Sequence, residues 1–328
     1  MPARDMVDSF GRRISYVRMS VTDRCDLRCR YCMAETMRFL PKRDILTLEE
    51  IAELADIFIA RGVTRIRLTG GEPLVRRGID DLVAMLGARI GRGLDELTMT
   101  TNGTRLADHA HRLRQAGIRR VNVSLDSRRA DRFRHITRHG DLDRVLAGID
   151  AADAAGLRTK INMVALKGIN EDEIGDMLEW CAHRGFDLTL IETMPLGAVE
   201  EDRTAHYLPL SEVKQSLERR FDLIPSLHRT GGPARYYEVQ GVRLGLITPL
   251  TQNFCAGCNR IRVAATGTVY GCLGQDQKVE LRDLLRESGA GAVHAALDRL
   301  IAGKPRGHDF AIDAPAPAVQ RHMSVTGG

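Results

Sequence analysis

Aromatic residues are scarce in this chain, at 5% of 328 residues with a single Trp. That rules against a surface of stacked rings built to hold single-stranded nucleic acid. No segment approaches the roughly 18 consecutive apolar residues that cross a bilayer. The N-terminal MPARDMVDSFGRR has no apolar stretch of the kind that directs secretion, so the expected location is cytoplasmic. Charge of one sign is also missing. The 48 Lys and Arg against 43 Asp and Glu leave +5, too little to require a nucleic acid and compatible with a small anionic ligand. Seven cysteines, an odd number in a long chain, do not make a secreted disulfide framework. There is no heptad pattern and no internal repeat.

What is present is a rhythm of short β-rich runs and amphipathic helical segments. Strands are predicted at 14–21, 64–70, 96–101, 120–126, 159–166 and 187–193. Helices are predicted at 47–62, 79–90, 105–116, 141–155, 171–184 and 210–220. Thr47 and Glu50 have the spacing of a capping box. Gly62, Gly117, Gly156 and Gly185 stand where helices end. Six strands alternating with helices imply a parallel sheet, either doubly wound or an incomplete barrel. In both, ligands gather at the carboxyl ends of the strands. The polar and glycine-rich segments TDRCDLRCRYC, TGGEP, TTNG, SLDS and ETMPLG follow strands one, two, three, four and six. After about 222 the rhythm breaks into hairpin-like sequence, so the expected division is a barrel over 1–222 and a second region over 223–328. The final AIDAPAPAVQRHMSVTGG reads as loosely structured.

The cysteines form two triplets and a singleton. Cys25, Cys29 and Cys32 are spaced C-x3-C-x2-C, and Cys255, Cys258 and Cys272 are spaced C-x2-C-x13-C. Cys181, inside a helical pattern, fits a small buried hydrophobe. A structural zinc usually takes four Cys or His ligands. Cys25–Cys32 has no fourth Cys or His beside it, and zinc at the second triplet would need a distant ligand such as His228 or His294. Three thiolates can instead hold a [4Fe–4S] cluster with one iron left open. Gly70 and Gly71 in TGGEP lack a Cβ and permit close approach. Arg260 and Arg262, two apart on a predicted strand, would point the same way beside the second triplet. Such a pair suits a polyanion, since Arg binds phosphate bidentately.

C-x3-C-x2-C after strand one with GGEP after strand two resembles the radical S-adenosylmethionine enzymes. Both triplets, the CNRIRV arginines and the terminal Gly327-Gly328 together are similar, over essentially the whole chain, to the GTP 3′,8-cyclase family, which opens molybdenum cofactor biosynthesis. The resemblance implies an α/β fold, an incomplete (β/α)6 TIM-type barrel with a C-terminal extension. It implies two [4Fe–4S] clusters, one on Cys25, Cys29 and Cys32 and one on Cys255, Cys258 and Cys272, with S-adenosylmethionine touching Tyr31, Gly71, Ser124 and Met194. GTP would lie against Arg18, Arg67, Thr100, Lys160, Arg260, Ile261 and Arg262, with Thr100 chosen over Thr101 by its spacing to Ser124. Gly327 and Gly328 would enter the site and support catalysis.

The implied reaction removes hydrogen from ribose C3′ and joins C3′ to guanine C8, giving (8S)-3′,8-cyclo-7,8-dihydroguanosine 5′-triphosphate. Implied partners are a cellular one-electron reductant, a second copy of the chain in a homodimer, and cyclic pyranopterin monophosphate synthase, which would receive the product. Neither a nucleic acid nor a membrane is expected as a partner. The chain departs from the family pattern at Arg65 (often Lys), Thr189 (often Arg) and Ala34 (often Pro), and Arg203 is a candidate to replace the arginine missing at 189. Other readings are a different radical enzyme with an auxiliary cluster, for example a peptide-modifying one, and a non-enzymatic electron-transfer or zinc-binding module.

Overall fold

The computed structural model describes residues 5–199, 202–230, 232–314 and 316–327. Its first half alternates strand and helix: β1 Tyr16–Ser20, α1 Leu48–Ala60, β2 Arg65–Thr69, α2 Ile79–Gly87, β3 Glu96–Thr101, α3 Leu106–Gln115 and β4 Arg120–Ser124. Two helices follow, α4 Ala130–Thr137 and α5 Leu142–Ala154, then β5 Arg158–Ala165, α6 Ile174–Arg184, β6 Asp187–Glu192 and α7 Leu210–Glu218. The six predicted strands are thus all present, in the order β1-β2-β3-β4-β5-β6 and parallel throughout.

Each strand alternates between two environments, as a pleated backbone requires. Ile66, Leu68, Val121, Val123, Ile161, Met163, Leu188 and Leu190 face the helices and are completely buried. The α1 side chains Ile51, Leu54 and Phe58 meet that layer. Burying one such side chain stabilises by about 1.5–3 kcal/mol. The capping box forms as expected: Thr47 accepts from the Glu50 amide while Glu50 accepts from the Thr47 amide.

The C-terminal region supplies β7 Ile224–Ser226, β8 Arg235–Val239, β9 Val242–Ile247, β10 Arg260–Val263, β11 Thr268–Tyr270, β12 Lys278–Glu280, α8 Arg282–Ala302 and the one-turn α9 Met323–Thr326. Its contribution exceeds the hairpin expected from sequence. β9 adds in parallel to β6, and β10 adds in parallel to β1. The six-strand barrel sheet is therefore widened on both edges by strands distant in sequence, in one open twelve-stranded sheet among the described residues.

Three helices were not foreseen: α4, α8 and the one-turn α9. α4 is short and rich in Arg, with only Phe133 and Ile136 marking its inner face. α8 is interrupted at Gly289, where a left-handed φ of 72° breaks the helical pattern. Ala318 and Val319 are held by tertiary contacts: Ala318 N donates to Pro195 O and Gly197 N donates to Val319 O, each at 2.9 Å. No helix among the described residues is long and apolar enough to cross a membrane.

Candidate active site

Two adjoining cavities, each of about 1090 Å3 and open to solvent, lie inside the sheet's curve. The first is bounded by the loops that leave β1 to β6. Cys25, Cys29, Cys32, Tyr31, Gly71, Ser124 and Met194 all line it, and all three thiols are free and half-buried. Gly71 explains why this loop must be glycine: a Cβ there would sit 2.4 Å from the Arg24 carbonyl oxygen. The backbone of GGEP thereby packs directly on the cysteine loop, through Gly71 N to Thr22 O at 2.9 Å and Glu72 N to Arg24 O at 2.8 Å.

Three carboxylates, Glu72, Asp126 and Glu192, line this first cavity. Glu72 is fully buried and accepts from Leu74 N (2.9 Å), Thr101 Oγ1 (2.8 Å) and Asn102 N (2.6 Å). Burial nevertheless raises it to about 7. Asp126 accepts from Tyr31 OH at 2.7 Å and Val164 N at 2.8 Å, and burial raises it to about 6. The thiols are pushed up too. Burial is the main cause, followed by Glu72 at Cys25 and by Cys32 and Asp126 at Cys29. Such thiols become thiolates when a cationic metal centre binds them.

The second cavity is basic. Arg18 on β1 is in register with Arg67 on β2 and with Arg262 on β10. Three strands thus set three guanidiniums in one row, with Arg260 two residues back on β10. These four and Lys160 line the cavity together with Cys255, Cys258 and Cys272. Burial lowers Arg18 well below its ordinary value, and Arg262, Arg67 and Arg260 add repulsion. Burial and Arg260 lower Arg262 to about 10. Lys160 donates to Tyr236 OH at 2.6 Å, and burial and then Arg67 lower it to about 7. Buried like charges oppose folding unless an anion offsets them.

Asn162, Ile191, Met194 and Met323 line both cavities. Met323 comes from α9, so the C-terminal tail stands at their junction. Beyond it, Gly327 packs against β2: a Cβ at Gly327 would lie 2.0 Å from Thr69 Oγ1, and its φ is 72°. Gly328 lies outside the described residues.

Other expected residues fall less simply. Thr100 lines the first cavity, not the basic one, and its hydroxyl is buried without a partner, whereas Thr101 is engaged by Glu72 and Gly103 N. Ile261 alternates away from the cavity and its side chain is buried in the core. Thr189 lines the basic cavity with an unpartnered hydroxyl. Arg203 does not replace an arginine there, because it donates to the Leu196 and Gly197 carbonyls and holds that loop. Arg65 pairs with Glu96 at 3.9 Å outside both cavities. His294 bonds Arg61, His228 contacts Arg243 and Tyr236, and neither lines the cavity of the second triplet. Cys181 is completely buried in the core, as expected.

Two cations escaped the sequence reading because they act on backbone carbonyls that no motif displays: Arg12 donates to Cys255 O at 2.8 Å and Arg321 to Cys272 O at 3.1 Å. Lys304, in the sequence KPRGHDF, reaches the same region.

The Radical SAM superfamily profile matches residues 19–181, and the Molybdenum Cofactor Synthesis C profile matches residues 186–310. GTP 3′,8-cyclases from Rhizobium etli (strain CFN 42), Rhizobium meliloti (strain 1021) and Erythrobacter litoralis are 59%, 60% and 57% identical to this chain. They align with 99%, 98% and 100% of it and with 95%, 94% and 100% of their own lengths. The chain belongs to the GTP 3′,8-cyclase family. The crystal structure of Streptococcus suis SuiB bound to S-adenosylmethionine shares the fold, with a TM-score of 0.58 at 16% identity over 95% of this chain and 77% of that one.

Membership of the radical SAM superfamily brings a [4Fe–4S] cluster and S-adenosylmethionine. The first cavity fits both. It has three thiols, a glycine cradle that side chains would fill, and buried hydroxyls of Thr69, Thr100 and Thr193 that lack partners.

Proposed function

We propose that this chain converts GTP to (8S)-3′,8-cyclo-7,8-dihydroguanosine 5′-triphosphate, the first step of molybdenum cofactor biosynthesis. The observation that carries the reading is the pair of thiol triplets on adjoining cavities, with a buried row of arginines in one of them. In this reading Cys25, Cys29 and Cys32 hold the first [4Fe–4S] cluster. Tyr31, Gly71, Ser124 and Met194 hold S-adenosylmethionine. Together these groups supply a 5′-deoxyadenosyl radical.

Cys255, Cys258 and Cys272 hold a second [4Fe–4S] cluster, toward which the guanine is directed. Arg18, Arg67, Lys160, Arg260 and Arg262 take the triphosphate, whose charge offsets theirs. Ile261 contributes backbone only, and Thr100 meets the nucleotide from the side of the first cavity. Fastening GTP at base and phosphates leaves its ribose near the shared wall of Asn162, Ile191, Met194 and Met323. The chain's share of catalysis is thus positioning and exclusion of water. In this reading Gly327 and Gly328 support catalysis.

The reading divides the chain into a barrel unit, 1–222, and an auxiliary region, 223–328. It also includes a homodimer, a cytoplasmic location, a cellular one-electron reductant and hand-over to cyclic pyranopterin monophosphate synthase. A peptide substrate is disfavoured by the buried guanidinium row, which suits a compact polyanion. The test is anaerobic incubation of the reconstituted protein with GTP, S-adenosylmethionine and a reductant. Equal yields of 5′-deoxyadenosine and a cyclised nucleotide are expected. 5′-Deoxyadenosine formed without any cyclised nucleotide would overturn the assignment.

A further inference from the structure

Lys304 follows α8 and is 2% exposed. Its ammonium lies 3.7 Å from Cys258 Sγ and 3.3 Å from Arg260 O, and it also donates to Gly271 O. Each acceptor is a neutral carbonyl or a sulfur. No carboxylate pairs with Lys304 among the described residues, which sets it apart from its neighbours. Arg12 is paired with Asp8 at 2.6 Å and Arg321 with Asp276 at 2.5 Å. A buried ammonium without a counterion is costly. Its counter-charge must therefore come from whatever Cys258 holds.

Three thiolates on a [4Fe–4S]2+ core make a centre of net negative charge, and one-electron reduction to the 1+ core makes it more negative. An ammonium beside a ligand sulfur stabilises the reduced form more than the oxidised one, which raises the reduction potential. The first triplet differs at its sulfurs. Glu72 and Asp126 line its cavity, and Asp26 Oδ1 is 3.9 Å from Cys25 Sγ. The donors on that sulfur are the neutral Leu27 and Asn102 amides, while Arg28 donates to Cys25 O at 2.7 Å; no Lys or Arg donates to a sulfur of this triplet among the described residues.

We propose that Lys304 is a positioning residue of the second triplet, an N–H···S donor that sets the reduction potential of the cluster bound there above that of the first. This rests on the two-cluster reading above. Electrons delivered one at a time then favour the second centre, and the first stays a strong reductant.

The test uses the full chain, reconstituted anaerobically, in a Cys25→Ala/Cys29→Ala/Cys32→Ala background that isolates the second centre. Iron and sulfide are counted first, and the midpoint potential is then read by a redox titration followed by electron paramagnetic resonance. Lys304→Gln is expected to load the cluster and shift its midpoint to more negative potential, with Lys304→Arg restoring most of the shift. An unchanged midpoint in fully loaded Lys304→Gln overturns the proposal. Loss of the cluster in Lys304→Gln but not in Lys304→Arg also overturns it, because the lysine would then be a strut for the Gly271 turn. Absence of any iron in the isolating background removes the two-cluster reading itself, and the proposal with it.

Discussion

Arg262 donates through Nη1 to the carbonyl oxygen of Gly327 at 2.9 Å. One of the guanidiniums expected to read phosphate is therefore also the anchor of the C-terminal tail. The contact joins β10 to the last described residue, and Arg262 itself lines the basic cavity.

The tail should matter for turnover more than for binding. Gly327→Ala would place a methyl group against Thr69 Oγ1 at a φ of 72°, displacing the tail. A misplacement of ~1 Å costs about 100-fold in rate. The expected result is a loss of that order in cyclisation with an unchanged GTP Kd, measured by product formation and calorimetry. Equal activity in Gly327→Ala and in a chain lacking residues 327–328 and the parent would reduce the tail to an ordinary terminus.

Arg260 and Arg262 should separate phosphate from base recognition. A charge-assisted hydrogen bond is worth about 1.5–3 kcal/mol, so Arg260→Ala should weaken GTP by ~10–100-fold and leave guanosine nearly unchanged. Arg262→Ala should show that loss and also the tail defect, since it removes the Gly327 contact. Parallel losses for GTP and guanosine would mean that neither arginine meets phosphate.

Lys160 makes GTP binding pH-dependent. Its amine is lowered to about 7 by burial, then by Arg67 and Arg120, with Asp187 opposing and Arg243 adding to the repulsion; Tyr236 is its direct partner. The folded amine is therefore charged below about 7 and loses its proton as pH rises through that value. Affinity for GTP should fall as pH rises from ~6 to ~8.5, by no more than about tenfold per pH unit for one linked proton. Lys160→Arg keeps its charge and should flatten the profile; the comparison cancels the titration of GTP itself. The same shift makes the empty protein more stable as pH rises above about 7 toward the unfolded amine's ordinary value, because the unfolded chain then binds the extra proton. Identical pH slopes in the two proteins would remove Lys160 from the phosphate site.

Metal content checks the two triplets directly. Anaerobic reconstitution should give about eight irons per chain, from two four-iron clusters. Replacing Cys255, Cys258 and Cys272 with Ala should halve that number and retain S-adenosylmethionine binding. Zinc in place of iron at the second triplet would contradict the reading.

Much of this was legible in the linear order. The period-two pattern of RIRLT and RVNVS and the capping box at Thr47 report local physics, and β1 to β6 form where those patterns lie. The cysteine spacings were legible for the same reason, since a short loop brings its thiols together without help from the rest of the chain. The loose reading of residues 311–328 missed α9 and the contacts of Ala318 and Val319 with the 195–197 loop, which no local pattern encodes. The offer of Arg203 as a phosphate contact failed likewise: its guanidinium is consumed by two carbonyls from a neighbouring loop.

By itself the sequence determined the alternation of strand and helix, the two sets of thiols and the family, all of which rest on residues near one another or on motif identity. Tertiary structure decided the rest. The strand register of β10 against β1 aligned Arg262 with Arg18 and Arg67, while α8 delivered Lys304 to Cys258 from 46 residues away. Such pairings depend on where distant segments pack, and packing is settled by burial of the whole core rather than by any stretch of chain alone.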